Sequence, residues 1–192
     1  MILYTSNNFK IGLKVLFENQ PCSIENVDFV KPGKGQAFSR VKLRKLLTNQ
    51  LIEKTFRSTD GLLRADVYDI KYMYIYYNDN NWYFMHRQNF EQLSLNKNII
   101  QNKYKWLLEQ NDYLITFWNN NPISIEMNNF VNLKVVSDLS GKSLNSTMSN
   151  TKLKLYKLHT GLVMPLPLFI QVGDIVKIDT RTEEYHSRVN KL

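Results

Sequence analysis

Cysteine is almost absent from this chain: Cys22 is the only one in 192 residues. A single thiol excludes an internal disulfide framework and a cysteine-based zinc cluster, and it suits a reducing cytoplasm. Histidine is nearly as scarce. His86, His159 and His186 have no ligand spacing and no nucleophile motif beside them, and the acidic residues are scattered. Neither a metal site nor a catalytic centre is therefore expected, and the chain does not read as an enzyme. No apolar run approaches the ~18 residues that a bilayer demands. The nearest, Val163 to Val172, is interrupted by Pro165 and Pro167. The N-terminal residues lack a basic stretch followed by an apolar one, so no secretory signal is expected, and no basic amphipathic helix points to a membrane surface. There is no Gly/Ser-rich or Pro-rich linker, which predicts tight junctions between domains.

Positive charge is in excess, with a net +8. A basic balance favours polyanionic partners. It is distributed unevenly: residues 1–64 carry 11 Lys/Arg against 5 Asp/Glu, residues 65–128 carry 5 against 7, and residues 129–192 carry 9 against 5. Two basic ends flank a slightly acidic middle, as in an elongated molecule touching a polyanion at separated places.

Short runs rich in Val, Ile, Tyr, Phe and Thr, broken by Gly, Pro, Asn and Asp, predict strands. They fall at 13–18, 22–29, 36–43, 51–57, 69–77, 82–86, 113–118, 123–126, 130–136, 152–158, 174–179 and 185–189. Strands this short and frequent point to small barrels in an all-β protein. One segment differs: Ile100, Tyr104, Leu107 and Leu108 recur at helical spacing, predicting a helix over 98–109. A helix between the third and fourth strands of a five-stranded barrel predicts an OB-fold in the middle third. Turns at 58–61 and at Asn128-Asn129 divide the chain into domains at 1–64, 65–128 and 129–192. Residues 137–150, dense in Ser and Asn, predict a long loop that is either functional or disordered.

The most informative stretch is Lys31-Pro32-Gly33-Lys34-Gly35. Pro32 and then Gly33 fit the central positions of a type II turn, in which Gly33 takes positive φ. Lys34, between two glycines and two strands, sits at a hairpin tip with little steric cover. The segment is not a phosphate-binding P-loop, because no Ser or Thr follows Lys34 and no helix succeeds it. An ordinary solvated turn is the competing reading. In the next strand Arg40, Lys42 and Arg44 alternate with Val41 and Leu43, so the cations share one face, about 6.6 Å apart, while the apolar pair faces the core. That makes either a phosphate-contacting stripe without base specificity or a solvated face. Tyr72, Tyr74, Tyr76, Tyr77, Trp82, Trp106 and Trp118 are read as core aromatics or as base-stacking platforms, the acidic middle favouring the former. Cys22 is expected to be a small core residue.

Three blocks of sequence resemble the elongation factor P family: 29–38 with Val41 to Arg44 and 53–60; Phe90 to Leu93 with Trp106 to Leu108; and 167–173 with Val176 to Arg181 and Glu184-Tyr185. The resemblance covers nearly the whole chain in order. It implies an N-terminal KOW-type barrel followed by two OB-folds in an L-shaped, tRNA-like arrangement. It implies a non-enzymatic cytoplasmic monomer that binds the ribosome between the peptidyl-tRNA and exit sites and relieves stalling at consecutive prolines. Lys34 matches the lysine that one subfamily extends with a β-lysyl group, often also hydroxylated, through a lysyl-tRNA-synthetase-like ligase. No other cofactor is implied. Lys31, Arg40, Lys42 and Arg44 then hold the acceptor stem of the peptidyl-site tRNA, and Arg181, Tyr185 and Arg188 are candidates for contacts nearer the tRNA elbow or the small subunit. The chain departs from the family pattern twice. Asn145-Ser146-Thr147 stands where many members have Gly-Asp-Thr, and Glu183 stands where glycine is preferred. The alternatives are another RNA- or ribosome-binding barrel protein, or a paralogue acting on other stalls.

Overall fold

The computed structural model of the protein describes residues 2–33, 35–139 and 153–189. Lys34, Asn145-Ser146-Thr147 and most of the long Ser/Asn-rich stretch lie outside the described residues.

Antiparallel strands dominate, as alternation in the sequence demands. The first sheet comprises β1 (Leu3–Thr5), β2 (Lys14–Phe17), β3 (Gln20–Val30), β4 (Phe38–Lys45), β5 (Leu51–Arg57) and β6 (Gly61–Arg64), in the order β1-β6-β2-β3-β4-β5. The second comprises β7 (Val67–Asn78), β8 (Asn81–Met85), β9 (Gln92–Asn96), β10 (Asp112–Trp118) and β11 (Asn121–Glu126), in the order β11-β10-β7-β8-β9. The third comprises β12 (Phe130–Asp138), β13 (Leu153–Leu158), β14 (Val163–Pro167), β15 (Ile175–Asp179) and β16 (Glu184–Val189), in the order β14-β13-β12-β15-β16. By packing, the chain forms two compact units: residues 1–71 with 114–125, and residues 72–113 with 126–192.

All twelve sequence-predicted strands are present. Four were not anticipated: β1, β6, β9 and β14. β14 holds Pro165 and Pro167 and lies at the edge of its sheet, where proline is tolerated because an outward N–H has no ladder partner to lose.

The predicted helix needs correction. Its α-helical part, α1, spans only Lys97–Ile100, capped by the Asn96 side chain, which accepts from the amides of Asn98 (3.0 Å) and Ile99 (3.3 Å). Gln101 then takes φ 52°, and a 3₁₀ segment runs over Gln101–Trp106. A left-handed residue breaks the i→i−4 ladder, so the apolar side chains are set by tighter turns instead. The outcome is that Trp106 is buried among Val131, Leu133, Leu158, Leu166 and Val176 of the third sheet. Tyr113 fixes the exit of this segment: its hydroxyl accepts from the Leu108 amide at 2.7 Å.

In the first unit Val15, Cys22, Ile24, Val41, Leu43 and Phe56 form the core, with Phe9 edge-on to Phe56 at 5.4 Å. Cys22 is fully buried there, and burial pushes its thiol pKa up, as for an inert core thiol.

Candidate nucleic-acid interface

β3 and β4 pair from Cys22↔Lys45 to Val30↔Phe38, with a bulge between Ile24 and Asn26 and unbroken pairing from Asn26↔Lys42 to Val30↔Phe38. Lys31, Gly33 and Gly35 are exposed. A Cβ added at Gly33 would meet no atom within 4 Å beyond its chain neighbours, so the backbone at Gly33 is open. The expected turn geometry is corrected in one respect. Gly33 does not adopt positive φ; Gly35 does, at 114°. The left-handed position therefore follows Lys34 rather than preceding it, and it is Gly35 whose missing Cβ the backbone requires.

Along β4, Ser39, Val41 and Leu43 are buried while Arg40 is exposed and Lys42 and Arg44 are half-buried. The cations thus share the outer face, as alternation requires. Arg40 Nε lies 3.4 Å from Glu53 Oε1, and Arg44 Nε lies 3.2 Å from Glu25 Oε1. Lys42 has no ion pair among the described residues. Half-exposed pairs of this kind contribute only about 0–1 kcal/mol, so a phosphate can displace their carboxylates at small cost.

Of the three C-terminal candidates, Tyr185 and Arg188 are neighbours, the Arg188 backbone hydrogen-bonding the Tyr185 hydroxyl, while Arg181 is held by other partners. Arg181 chelates Asp179 with Nε at 3.0 Å and Nη2 at 2.6 Å, and its guanidinium lies 5.6 Å from the Phe130 ring centre. Arg188 sits over Phe169 at 5.9 Å and pairs with Asp174 at 3.7 Å. Tyr185 packs against the third-sheet core, and burial raises its phenol pKa. A bulge between Lys177 and Ile178 shifts the β15–β16 register, so that Lys177 faces Ser187, Ile178 faces Tyr185, and His186 is left over. His186 then stacks on Phe130 at 5.0 Å, with Lys177 Nζ 4.6 Å above the same ring. Phe130, Lys177 and His186 were not among the sequence candidates. The exposed–buried alternation of β12 places Phe130 outward, but the bulge that delivers His186 leaves no sequence signal.

The Arg181 guanidinium, by hydrogen bond first, holds the Asp179 carboxyl down to about 2, against an ordinary 3.8. A folded pKa below the unfolded one means the pair favours the folded state above the ordinary value, and that this contribution fades as pH falls toward 2. In Arg181→Ala the Asp179 carboxyl is expected to titrate nearer its ordinary value. A carbon-detected NMR titration reads this directly, and an unmoved midpoint would refute the assignment.

Glu183 takes φ 61° in the turn whose amide returns to Asp179 O at 2.8 Å, the position where the resembling family prefers glycine. Left-handed backbone costs a non-glycine residue about 1 kcal/mol. Here Glu183 gains a partner, since its Oε1 lies 2.6 Å from Lys105 Nζ. Glu183→Gly in a Lys105→Met background is therefore expected to stabilise the protein by about 1 kcal/mol, and by less with Lys105 intact, because the ion pair is then forfeited. Urea unfolding of the four-member cycle tests this; equal gains in both backgrounds would show the pair to be idle.

Most of the middle aromatics are structural: Tyr72, Tyr74, Trp82 and Trp106 are buried. Burial pushes the Tyr74 phenol up to about 12, with Glu109 adding to the shift. Among the described residues no cluster of three or more His, Cys, Asp or Glu is placed to hold a metal ion, and no helix is long and apolar enough to cross a membrane.

Three small β-sheet domains place this fold beside solved translation factors of barrel construction. Eukaryotic translation initiation factor 5A from Methanococcus jannaschii superposes with a TM-score of 0.53 at 19% identity, covering 66% of this chain and 92% of that one. A translation initiation factor 5A family protein from Naegleria fowleri gives 0.51 at 16% identity, covering 66% and 98%. At these identities the likeness concerns the fold alone. Sequence comparison is more specific. Residues 5–62 match the elongation factor P KOW-like domain, 67–125 its OB domain, and 131–188 the elongation factor P C-terminal domain. Elongation factor P of Buchnera aphidicola from Acyrthosiphon pisum is 53% identical across 98% of this chain and all of the relative. Its counterpart from Schizaphis graminum is also 53% identical, with the same coverage. The chain belongs to the elongation factor P family, and is a translation factor.

Proposed function

We propose that the protein binds the ribosome between the peptidyl-tRNA and exit sites and accelerates peptide-bond formation at consecutive prolines. The observation that carries this reading is the exposed β3–β4 hairpin, with a cationic stripe on the strand that leaves it. Lys34 at the tip carries a β-lysyl group, possibly hydroxylated, attached by a lysyl-tRNA-synthetase-like ligase. The lengthened cationic side chain steadies the CCA end of the peptidyl-tRNA. Proline's ring restricts the approach of amine to ester, and holding reactants in a productive pose lowers a barrier by several kcal/mol without bond chemistry by the protein. Lys31, Arg40, Lys42 and Arg44 hold the acceptor-stem backbone. Arg181, Tyr185 and Arg188 offer contacts for tRNA or ribosomal RNA nearer the tRNA elbow or the small subunit. The protein acts as a cytoplasmic monomer, in three working parts at 1–64, 65–128 and 129–192.

The test is the rate of tri-proline synthesis on purified ribosomes with protein lysylated at Lys34. A large rise supports the reading; no rise despite confirmed modification and ribosome binding refutes it.

A further inference from the structure

β7 and β8 meet at a two-residue turn, Asp79-Asn80, with φ values of 46° and 61°. Beside it opens a cavity of about 460 Å³, lined by Tyr77, Asn80, Trp82, Lys97, Asn102 and Tyr104. This volume lies in the range of small-ligand sites. Nothing in the proposed action of Lys34 uses it, and it belongs wholly to the second unit.

Its wall is aromatic. Tyr77 lies 4.8 Å from Trp82, and Trp82 lies 6.0 Å from Tyr104 with the planes 31° apart. These separations leave no slot for a flat ligand between Trp82 and either tyrosine, so such a ligand lies against a tyrosine ring. Two rings are available: Tyr77 is 52% and Tyr104 is 50% exposed, whereas Trp82 beneath them is 8% exposed. Half-exposed tyrosines on a buried tryptophan are a rigid platform. Their polar surroundings are selective. The Tyr77 hydroxyl donates to Asn80 Oδ1 at 2.9 Å, which fixes that carboxamide and leaves its N–H donors for a ligand acceptor. Asn102 adds a second carboxamide, and Lys97 supplies a charge with no carboxylate partner among the described residues. The nearest acid in the turn, Asp79, already accepts from Asn78 Nδ2 at 3.0 Å.

A π-face, two carboxamides and one cation match a nucleotide: base on ring, base edge on Asn, phosphate on Lys. A cationic ligand would be repelled by Lys97. A duplex would need a longer run of cations than this part of the chain has. We infer that this cavity takes one unpaired nucleotide of a single RNA strand, its base stacked on Tyr104 or Tyr77 and its phosphate on Lys97.

The probe is a short oligoadenylate carrying 2-aminopurine, whose fluorescence falls when the base stacks, titrated with the full-length protein. The wild type is expected to quench it. Tyr77→Ala/Tyr104→Ala is expected to weaken binding at least tenfold, because stacking carries most of the affinity, while Tyr77→Phe/Tyr104→Phe keeps both rings and the quench. Lys97→Gln should flatten the log–log salt dependence by about 0.7, the value for one phosphate contact on a single strand. All three side chains are on the surface, so unchanged thermal melts identify properly folded variants. Lys42→Gln and Lys34→Ala, which probe the proposed function, are expected to leave the quench intact; the two readings therefore fail separately. The inference is overturned if the wild type gives no quench, if the quench survives Tyr77→Ala/Tyr104→Ala, or if Lys42→Gln alone removes it.

Discussion

Lys34→Ala is expected to return tri-proline synthesis to the factor-free rate, a fall of roughly a hundredfold if the tip controls the pose of the reacting ends. The physical ground is that positional catalysis is steep in geometry. A group that restrains the CCA end loses its effect when its reach is cut, although every other contact persists. Arg40, Lys42 and Arg44 are anchored on β4 by pairing to β3 and β5, so Lys34→Ala should still bind ribosomes. Lys34→Arg makes the test sharper. It keeps the charge but cannot receive a β-lysyl group, so a factor that depends on modification loses activity with it, whereas a generic RNA-binding barrel does not. Rapid-quench measurement of tri-proline formation, with ribosome binding measured in parallel, reads both. Full activity of either variant would remove Lys34 from the mechanism.

Trp106→Ala is expected to destabilise the protein by about 3–5 kcal/mol, the usual cost of deleting a large buried aromatic. At about 2–4 °C per kcal/mol for a chain of this size, the melting temperature should fall by roughly 10 °C. Trp106 is only 3% exposed and sits in the core formed by the third sheet, although it is carried by the 3₁₀ segment between β9 and β10. Lys105, next to it, lies 5.2 Å from the Trp106 ring centre and also reaches Glu183. The segment therefore anchors to the third sheet by a buried ring and a surface cation together. Thermal and urea unfolding followed by circular dichroism would give the figure. A loss below about 1 kcal/mol would mean that the ring's place is readily filled by its neighbours.

The strands that sequence patterning revealed carry alternation or a run of apolar, β-branched and aromatic residues, such as β5 and β10. Those it missed are weaker for definite reasons. β1 has three residues and β6 four. β9 is a polar edge strand, and β14 carries two prolines that argue against any interior strand. The basic stripe was legible because period-two alternation fixes which face each side chain takes. The Gly33 error arose because dipeptide preference locates a turn without fixing which glycine turns left-handed. That Tyr185 and Arg188 are neighbours despite an odd spacing along a strand follows from the one-residue bulge at His186, and a bulge is decided by packing rather than by local preference. Position 183 was legible in a different way: a residue replacing an expected glycine signalled left-handed backbone, and φ 61° is what the structure has.

β14 has a consequence beyond its own sheet. The Leu158 amide bonds to Leu162 O at 2.8 Å, so by alternation Met164 and Leu166 direct their backbone groups toward β13, while Val163, Pro165 and Pro167 direct theirs away. Of the three positions on the free edge, two have no N–H at all. A strand from another molecule laid along this edge finds carbonyls but almost no donors, and cannot build a ladder. Protection against edge-to-edge aggregation on this side is thus covalent rather than electrostatic, and should persist at high salt, where charged gatekeepers lose their effect.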